Sequence, residues 1–172
     1  MKSRDIAIVG ILLAIGAILR FVANMFPGAI VGNPVIALYC LAIILIRPPL
    51  KEAAGIGLVA GVLSMLISHS LFPPANLISE PVGALVCTAL YGMTRERLPA
   101  APGVTTFFAT CASGFTFVGI AILVGLAAIV AIPTGTVMGF FLAVLPIVLI
   151  TAVFNAVVTG ILTYPARRIL MR

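Results

Sequence analysis

Six apolar stretches, separated by short segments that carry Pro, Gly or charge, dominate this sequence. A membrane-crossing helix needs about 20 consecutive apolar residues, so their lengths predict a helical membrane protein. Two of them have only about 13 residues, and for these we expect inset helices whose flanking irregular backbone is buried against neighbours. The stretches cover approximately residues 5–26, 34–46, 52–71, 80–93, 104–131 and 138–164.

Composition supports the same class of fold. The chain is 63% hydrophobic and 8% charged, whereas about a quarter of the residues in a soluble domain are charged. No linker or second domain is visible, so we predict a single integral-membrane domain over 1–172. Lys2 and Arg4 before an apolar stretch resemble a signal peptide, but no small-x-small cleavage site precedes Pro27. We therefore expect the first helix to be retained.

The basic residues predict the orientation of the chain, because cytoplasmic loops are enriched in Lys and Arg. With six spans, every basic residue except Arg20 falls on one side of the membrane. Five or seven spans would scatter them over both sides. We therefore predict six transmembrane helices with both termini in the cytoplasm. The residues on the predicted cytoplasmic side are Lys2, Arg4, Arg47, Lys51, Arg95, Arg97, Arg167, Arg168 and Arg172.

The motifs of common enzymes are absent from the sequence. Neither lysine completes a GxxxxGK[ST] phosphate loop, no GxSxG elbow occurs, and His69 stands without an HExxH pattern. The three cysteines lie inside apolar stretches without a CxxC pair, which is typical of packed thiols. We therefore predict that the protein is not an enzyme and needs neither a metal nor a cofactor.

Polar side chains gather near the predicted outer face. Ionisable groups inside a membrane are costly and tend to mark a pathway or a binding site. An Arg and a Glu beside amide and imidazole groups can hold the two charges of a zwitterion, or a polar ring. The predicted substrate-binding residues are Arg20, Asn33, His69, Asn76, Glu80 and Asn155.

Four of these side chains also have a purely structural interpretation, which the sequence leaves open. Ser79 can cap a helix whose positive end Glu80 stabilises, with Pro81 in its first turn. Arg20 can extend to the interface. His69 can be an interfacial hydrogen-bonding residue. A polar side chain inside the sixth span, Asn155, can bond a neighbouring helix.

Small residues line one side of the first helix. They follow spacings of three, four and three, which keeps them within one strip of the helix surface. Such strips let helices approach closely in lipid, either within the chain or against a separate protein. The residues are Ala7, Gly10, Ala14 and Ala17.

Taken together, these features resemble the S components of energy-coupling factor (ECF) transporters. That family has six helices, internal termini and an AxxxA docking pattern in helix one. The corresponding positions here are Gly10-Ile-Leu-Leu-Ala14, one residue off the pattern but still small-xxx-small. Within it, the chain is most similar to the tryptophan-transporter group. The runs that carry this likeness are "GILLAIGAIL", "LAIILIRP", "PANLISEPVGAL" and "TYP".

The resemblance implies a substrate-binding subunit in a prokaryotic plasma membrane. It would capture an amino acid such as tryptophan, or a vitamin, from outside, beneath a lid formed by residues 72–79. Its partners would be a transmembrane coupling protein, docked on the small-residue strip, and a pair of ATPases. The chain departs from the group at Glu80, where the group favours Lys, and at Asn33-Pro34, where it favours an acidic residue, so the solute stays open. The alternative functions are a stand-alone secondary transporter or small channel, and a membrane scaffold without a ligand.

Overall fold

The computed structural model describes residues 1–25, 33–68, 72–130 and 136–170, with only the backbone at 125–130 and 170. Within these ranges the chain is all-helical, and five helices are long and apolar enough to cross a membrane. The predicted all-α membrane protein is thereby confirmed. The helices are α1 Ser3–Ala23, α2 Pro34–Ile46, α3 Leu50–Ile67, α4 Asn76–Thr94, α5 Ala101–Val130 and α6 Val137–Leu170, with a short 3-10 helix Pro73–Ala75 before α4.

The start of α4 differs from the sequence prediction. The helix begins at Asn76, not at Glu80, and has 19 residues. The prediction of a short fourth span is therefore wrong. Ser79 is therefore not an N-cap, and Pro81 lies inside the helix. The prediction placed Pro81 in the first turn of the helix, whereas Pro73 and Pro74 begin the helical segment through the 3-10 turn. A Pro within a membrane helix is tolerated where neighbouring groups satisfy the freed carbonyl.

The central element is α2. Its 13 residues extend about 20 Å at 1.5 Å per residue, less than the roughly 30 Å of a bilayer core. Every side chain from Pro34 to Leu45 is buried, and all five other α-helices contact α2. A helix that is apolar on all sides is expected to be enclosed in this way. The short helix predicted at 34–46 is thus present as α2. Arg47 and Pro49 after it are exposed, and residues 26–32 before it lie outside the described ranges, so a buried irregular flank stays a prediction.

Close approach of α3 and α4 depends on two glycines spaced four apart. A Cβ at Gly57 would lie 2.6 Å from the Pro81 Cα atom, and one at Gly61 would lie 2.6 Å from the Asn76 carbonyl oxygen. This small-xxx-small pattern lets two membrane helices pack backbone against backbone. It fixes the first turns of α4, which carry Asn76 and Glu80.

We expect Gly57→Ala to lower the free energy of unfolding by about 1–3 kcal/mol, because the added methyl group would force α3 away from α4. The matched control is Gly55→Ala on the same helix, where a Cβ would meet nothing within 4 Å. Thermal unfolding of the two variants in one detergent measures the effect. Equal melting temperatures would contradict the close packing of α3 on α4.

Contacts at the two ends of the bundle show which helix ends lie together. The Met1 amine pairs with the Glu52 carboxylate, joining the beginnings of α1 and α3. At the opposite end, Asn24 Nδ2 donates to the Ile67 carbonyl oxygen at 2.7 Å. The ends of α1 and α3 are therefore adjacent, and the two helices run in the same direction.

The small-residue strip of α1 does not pack within the described chain. Ala7, Gly10 and Ala14 are exposed and Ala17 is half-buried. A Cβ at Gly10 would meet no atom within 4 Å. The glycine that α1 uses for internal packing is Gly16, where a Cβ would lie 3.0 Å from the Val35 Cα atom. Internal packing therefore does not account for the strip.

Candidate functional site

A cavity of about 180 Å³ opens among the helices near the ends of α1 and α3 and the start of α4. It brings together four of the six predicted substrate-binding residues, Arg20, Asn33, Asn76 and Glu80. Asn76 and Glu80 lie one turn apart on α4, whereas Arg20 and Asn33 are 13 residues from each other and at least 43 from that pair, so only the tertiary fold brings the three groups together. The volume is below the roughly 300–1,000 Å³ of sites for drug-sized ligands, which fits a small solute.

Glu80 is the most enclosed charged side chain of the site. It is 1% exposed, and both carboxylate oxygens accept hydrogen bonds. Asn33 Nδ2 donates to Oε1 at 2.7 Å, and Ser113 Oγ donates to Oε2 at 3.2 Å. Ser64 Oγ adds a longer contact of 3.4 Å to Oε1. A buried carboxylate needs such donors to offset its lost hydration.

Arg20 is the cationic group of the same cavity, and it interacts electrostatically with Glu80. The two side chains do not form an ion pair within 4.0 Å in the described part of the chain. One guanidinium nitrogen, Nη2, donates to Ser68 Oγ at 3.4 Å. The other, Nη1, is buried without a hydrogen-bond partner among the described residues. Arg20 therefore lines the cavity with one donor available. This is not expected of an Arg that only extends to the membrane interface.

Asn76 and Ser79 form the part of the wall contributed by α4. Asn76 is 3% exposed, and its Nδ2 atom donates to the Pro73 carbonyl oxygen at 2.7 Å. This bond ties the 3-10 helix to α4. The Ser79 hydroxyl is buried at the cavity without a partner in the described chain. The segment expected to be a lid is thus helical from Pro73 onward.

The other two predicted residues do not line the cavity as described. Asn155 is fully buried, and its Nδ2 atom donates to Thr110 Oγ1 at 3.3 Å, joining α6 to α5. This is the helix-to-helix hydrogen bond that the sequence left as an alternative. Thr110 lines the cavity, so Asn155 supports the wall from behind. His69 lies outside the described residues.

Several polar residues of the site were missed from the sequence. Ser113, Thr110 and Thr151 line the cavity, and Tyr39 is buried on α2 beside Glu80. A side chain at position 83 would collide with the Tyr39 hydroxyl, so Gly83 makes room for it. Hydroxyl side chains are common in membrane helices because they can bond their own backbone, which left no signal to separate these from ordinary packing.

Apolar side chains also line the cavity, mostly on the same two helices as Thr110, Ser113 and Thr151. Between α5 and α6, Gly114 lets Val148 approach, since a Cβ there would lie 2.7 Å from the Val148 Cγ1 atom. A lining that offers charge, hydrogen bonds and apolar contact suits an amphiphilic solute. The apolar lining residues are Ile36, Phe117, Val118, Val144, Ile147 and Val148.

The fold and the cavity define a multi-pass α-helical membrane protein with a site lined by both polar and apolar side chains. The chain is 30% identical over 176 aligned residues to the probable tryptophan transport protein of Bacillus subtilis (strain 168), an alignment that covers 100% of this chain and 95% of the relative. The chain therefore belongs to the family of that tryptophan-transporter-like protein, and its role is in transport. No family model and no solved structure matches it.

Proposed function

We propose that the protein is the substrate-binding subunit of an ECF-type importer in a prokaryotic plasma membrane, and that it captures an amino acid such as tryptophan. The observation that carries the proposal is the cavity that Arg20 and Glu80 line together with apolar side chains of α5 and α6. Tryptophan has a zwitterionic end and a large apolar end, which match these charged and apolar lining groups. The name of the Bacillus subtilis relative supports the same solute.

The proposed topology has six crossings, both termini in the cytoplasm, and the cavity near the outer face. Helix-end contacts support it. The beginnings of α1 and α3 are adjacent, and Arg167 near the end of α6 bonds Tyr91 near the end of α4. These are the ends that carry the basic residues, and the cavity lies toward the ends of α1 and α3, away from them. Together with the positive-inside rule, this arrangement supports a cavity that opens to the outside.

The proposed partners are a transmembrane coupling protein and two ATPases. The strip at Ala7, Gly10, Ala14 and Ala17 supports a docked helix because most of it is exposed and small. Its neighbours on α1 are large and apolar, with Ile11 60% and Ile18 62% exposed. A strip of small residues between such side chains forms a groove for a second helix.

One observation favours a stand-alone transporter as the second candidate. Buried polar side chains continue from the cavity along the interface of α5 and α6. Four of the eight, however, donate to backbone carbonyl groups, as Thr159 does to the Ala37 oxygen, and this leaves fewer groups free for a polar route. We therefore retain the substrate-binding subunit. The residues are Thr105, Thr106, Thr110, Ser113, Thr151, Asn155, Thr159 and Thr163.

Two measurements test the proposal. Ligand stabilises the folded state in proportion to RT ln(1 + [L]/Kd), so we expect L-tryptophan to raise the melting temperature of the detergent-purified protein more than other amino acids or vitamins. We also expect mass spectrometry to identify a coupling protein and two ATPases in the complex purified from the native membrane. Uptake by the chain alone in proteoliposomes, without ATP, would instead establish the stand-alone transporter.

A further inference from the structure

Three buried polar atoms that line the cavity lack a hydrogen-bond partner in the described chain. One is the Ser79 hydroxyl, which can donate or accept, and the other two have fixed and opposite roles. Arg20 Nη1 is a hydrogen-bond donor and Asn33 Oδ1 is an acceptor, and both are buried without a partner in the described chain. A buried polar group left unpaired costs about 1–3 kcal/mol. The bound solute is therefore expected to supply one acceptor and one donor. A carboxylate and an ammonium group on neighbouring atoms meet this requirement.

The amide of Asn33 is held in one orientation by Glu80. An ionised carboxylate only accepts hydrogen bonds, so the amide must turn its Nδ2 atom toward Glu80, as the 2.7 Å contact shows. Its Oδ1 atom then points away from Glu80. The oxygens of Glu80 already accept from Asn33, Ser64 and Ser113. Glu80 is therefore largely committed to groups of the protein.

We propose that Asn33 Oδ1 accepts a hydrogen bond from the α-ammonium group of the solute, that Arg20 Nη1 donates to its carboxylate, and that Glu80 is a positioning residue that fixes the Asn33 amide. The inference rests on the proposed function and specifies how the same cavity recognises its solute. It revises the sequence prediction, in which Glu80 itself held the amine. The solute class is an α-amino acid with a large apolar side chain.

The experiment compares binding of L-tryptophan with binding of indole-3-propionate, which lacks the amine, by isothermal titration on the full chain in detergent. We expect the wild type to prefer L-tryptophan by about 100-fold or more, because a site built to bond a group rejects the analogue that lacks it. In Glu80→Gln, the new amide can donate to Asn33 Oδ1 and turn Nδ2 toward the solute. The preference should then fall below about tenfold.

Two further variants separate positioning from general damage. Asn33→Ala removes the acceptor and should also abolish the preference for the amine, and Asn33 makes no side-chain cap bond to α2. Val144→Ala in the apolar lining should weaken both compounds alike and keep their ratio. If Glu80→Gln does not fold, the ratio in Asn33→Ala decides the matter.

The outcomes separate a wrong solute class from a wrong role for Asn33 and Glu80. A wild type that binds neither compound would overturn the proposed solute class and the inference with it. A wild type that binds L-tryptophan while Asn33→Ala, or a folded Glu80→Gln, keeps the full preference would overturn the inference and leave the proposed function standing. Loss of the ratio in both variants, with retention in Val144→Ala, supports it.

Discussion

Replacing Arg20 with Met is expected to lower the affinity for L-tryptophan by about 100-fold or more. Truncating one member of a buried, hydrogen-bonded charge pair costs about 2–5 kcal/mol, and every 1.4 kcal/mol is a tenfold change in affinity. Here the lost partner is the only described cation that lines the cavity. Met keeps much of the length and apolar bulk of the Arg side chain, so the α1 packing should change little.

Isothermal titration with L-tryptophan and with tryptamine, which has the amine but no carboxylate, measures this effect. Because Arg20 is assigned to the carboxylate, the variant should lose affinity for L-tryptophan and bind tryptamine no worse than the wild type does. Arg97→Met is the matched control, since Arg97 is exposed at the opposite end of the bundle and does not line the cavity. An equal loss for both compounds would show that Arg20 acts only on the fold.

Replacing Gly10 with Leu is expected to reduce uptake to background while leaving L-tryptophan affinity within about twofold of the wild type. The new side chain would project from an open surface, because a Cβ at this position meets nothing within 4 Å. The fold should therefore tolerate it, whereas a helix docked on the strip would not, since such interfaces require small residues. The largest expected effect is on assembly, not on binding.

Uptake of labelled L-tryptophan by cells that hold the whole transporter, together with titration on the purified variant, measures the two effects. Gly119→Leu is the matched control. It makes the same substitution at another exposed position on a different helix, and a Cβ there also meets nothing within 4 Å. Normal uptake by Gly10→Leu would remove the strip from the proposed interface, and loss of folding would instead restore an internal role for it.

Part of the candidate site was predictable because charge is rare in this chain. Arg20 and Glu80 stand out against apolar surroundings, where an ionised group is costly and needs a reason to be kept. Asn33 and Asn76 follow from the same argument at the ends of predicted spans. All four line one cavity in the structure. The hydrogen-bond partner of each atom could not be predicted from the sequence. Asn76 donates to the Pro73 carbonyl oxygen, and Asn33 donates to Glu80.

The predicted start of α4 is wrong, although Glu80-Pro81 has the signature of a helix start. Helix α4 begins at Asn76 because the Pro73–Ala75 turn just before it leads into it. For Asn155 the sequence left a ligand contact and a helix-to-helix hydrogen bond open. Its amide nitrogen bonds Thr110 on α5, 45 positions away, and the segment around Asn155 carries no mark of that partner.

The sequence by itself determined that this protein is helical and belongs in a membrane, because transfer of each apolar stretch into lipid depends on that stretch alone. Only the tertiary structure decided what the polar residues do. Glu80 meets Asn33 across 47 positions of the chain, and this contact exists because α4 lies close enough to its neighbours. Gly57 and Gly61 permit that approach. How closely α3 and α4 pack depends on both backbones, so it cannot be predicted from either stretch alone.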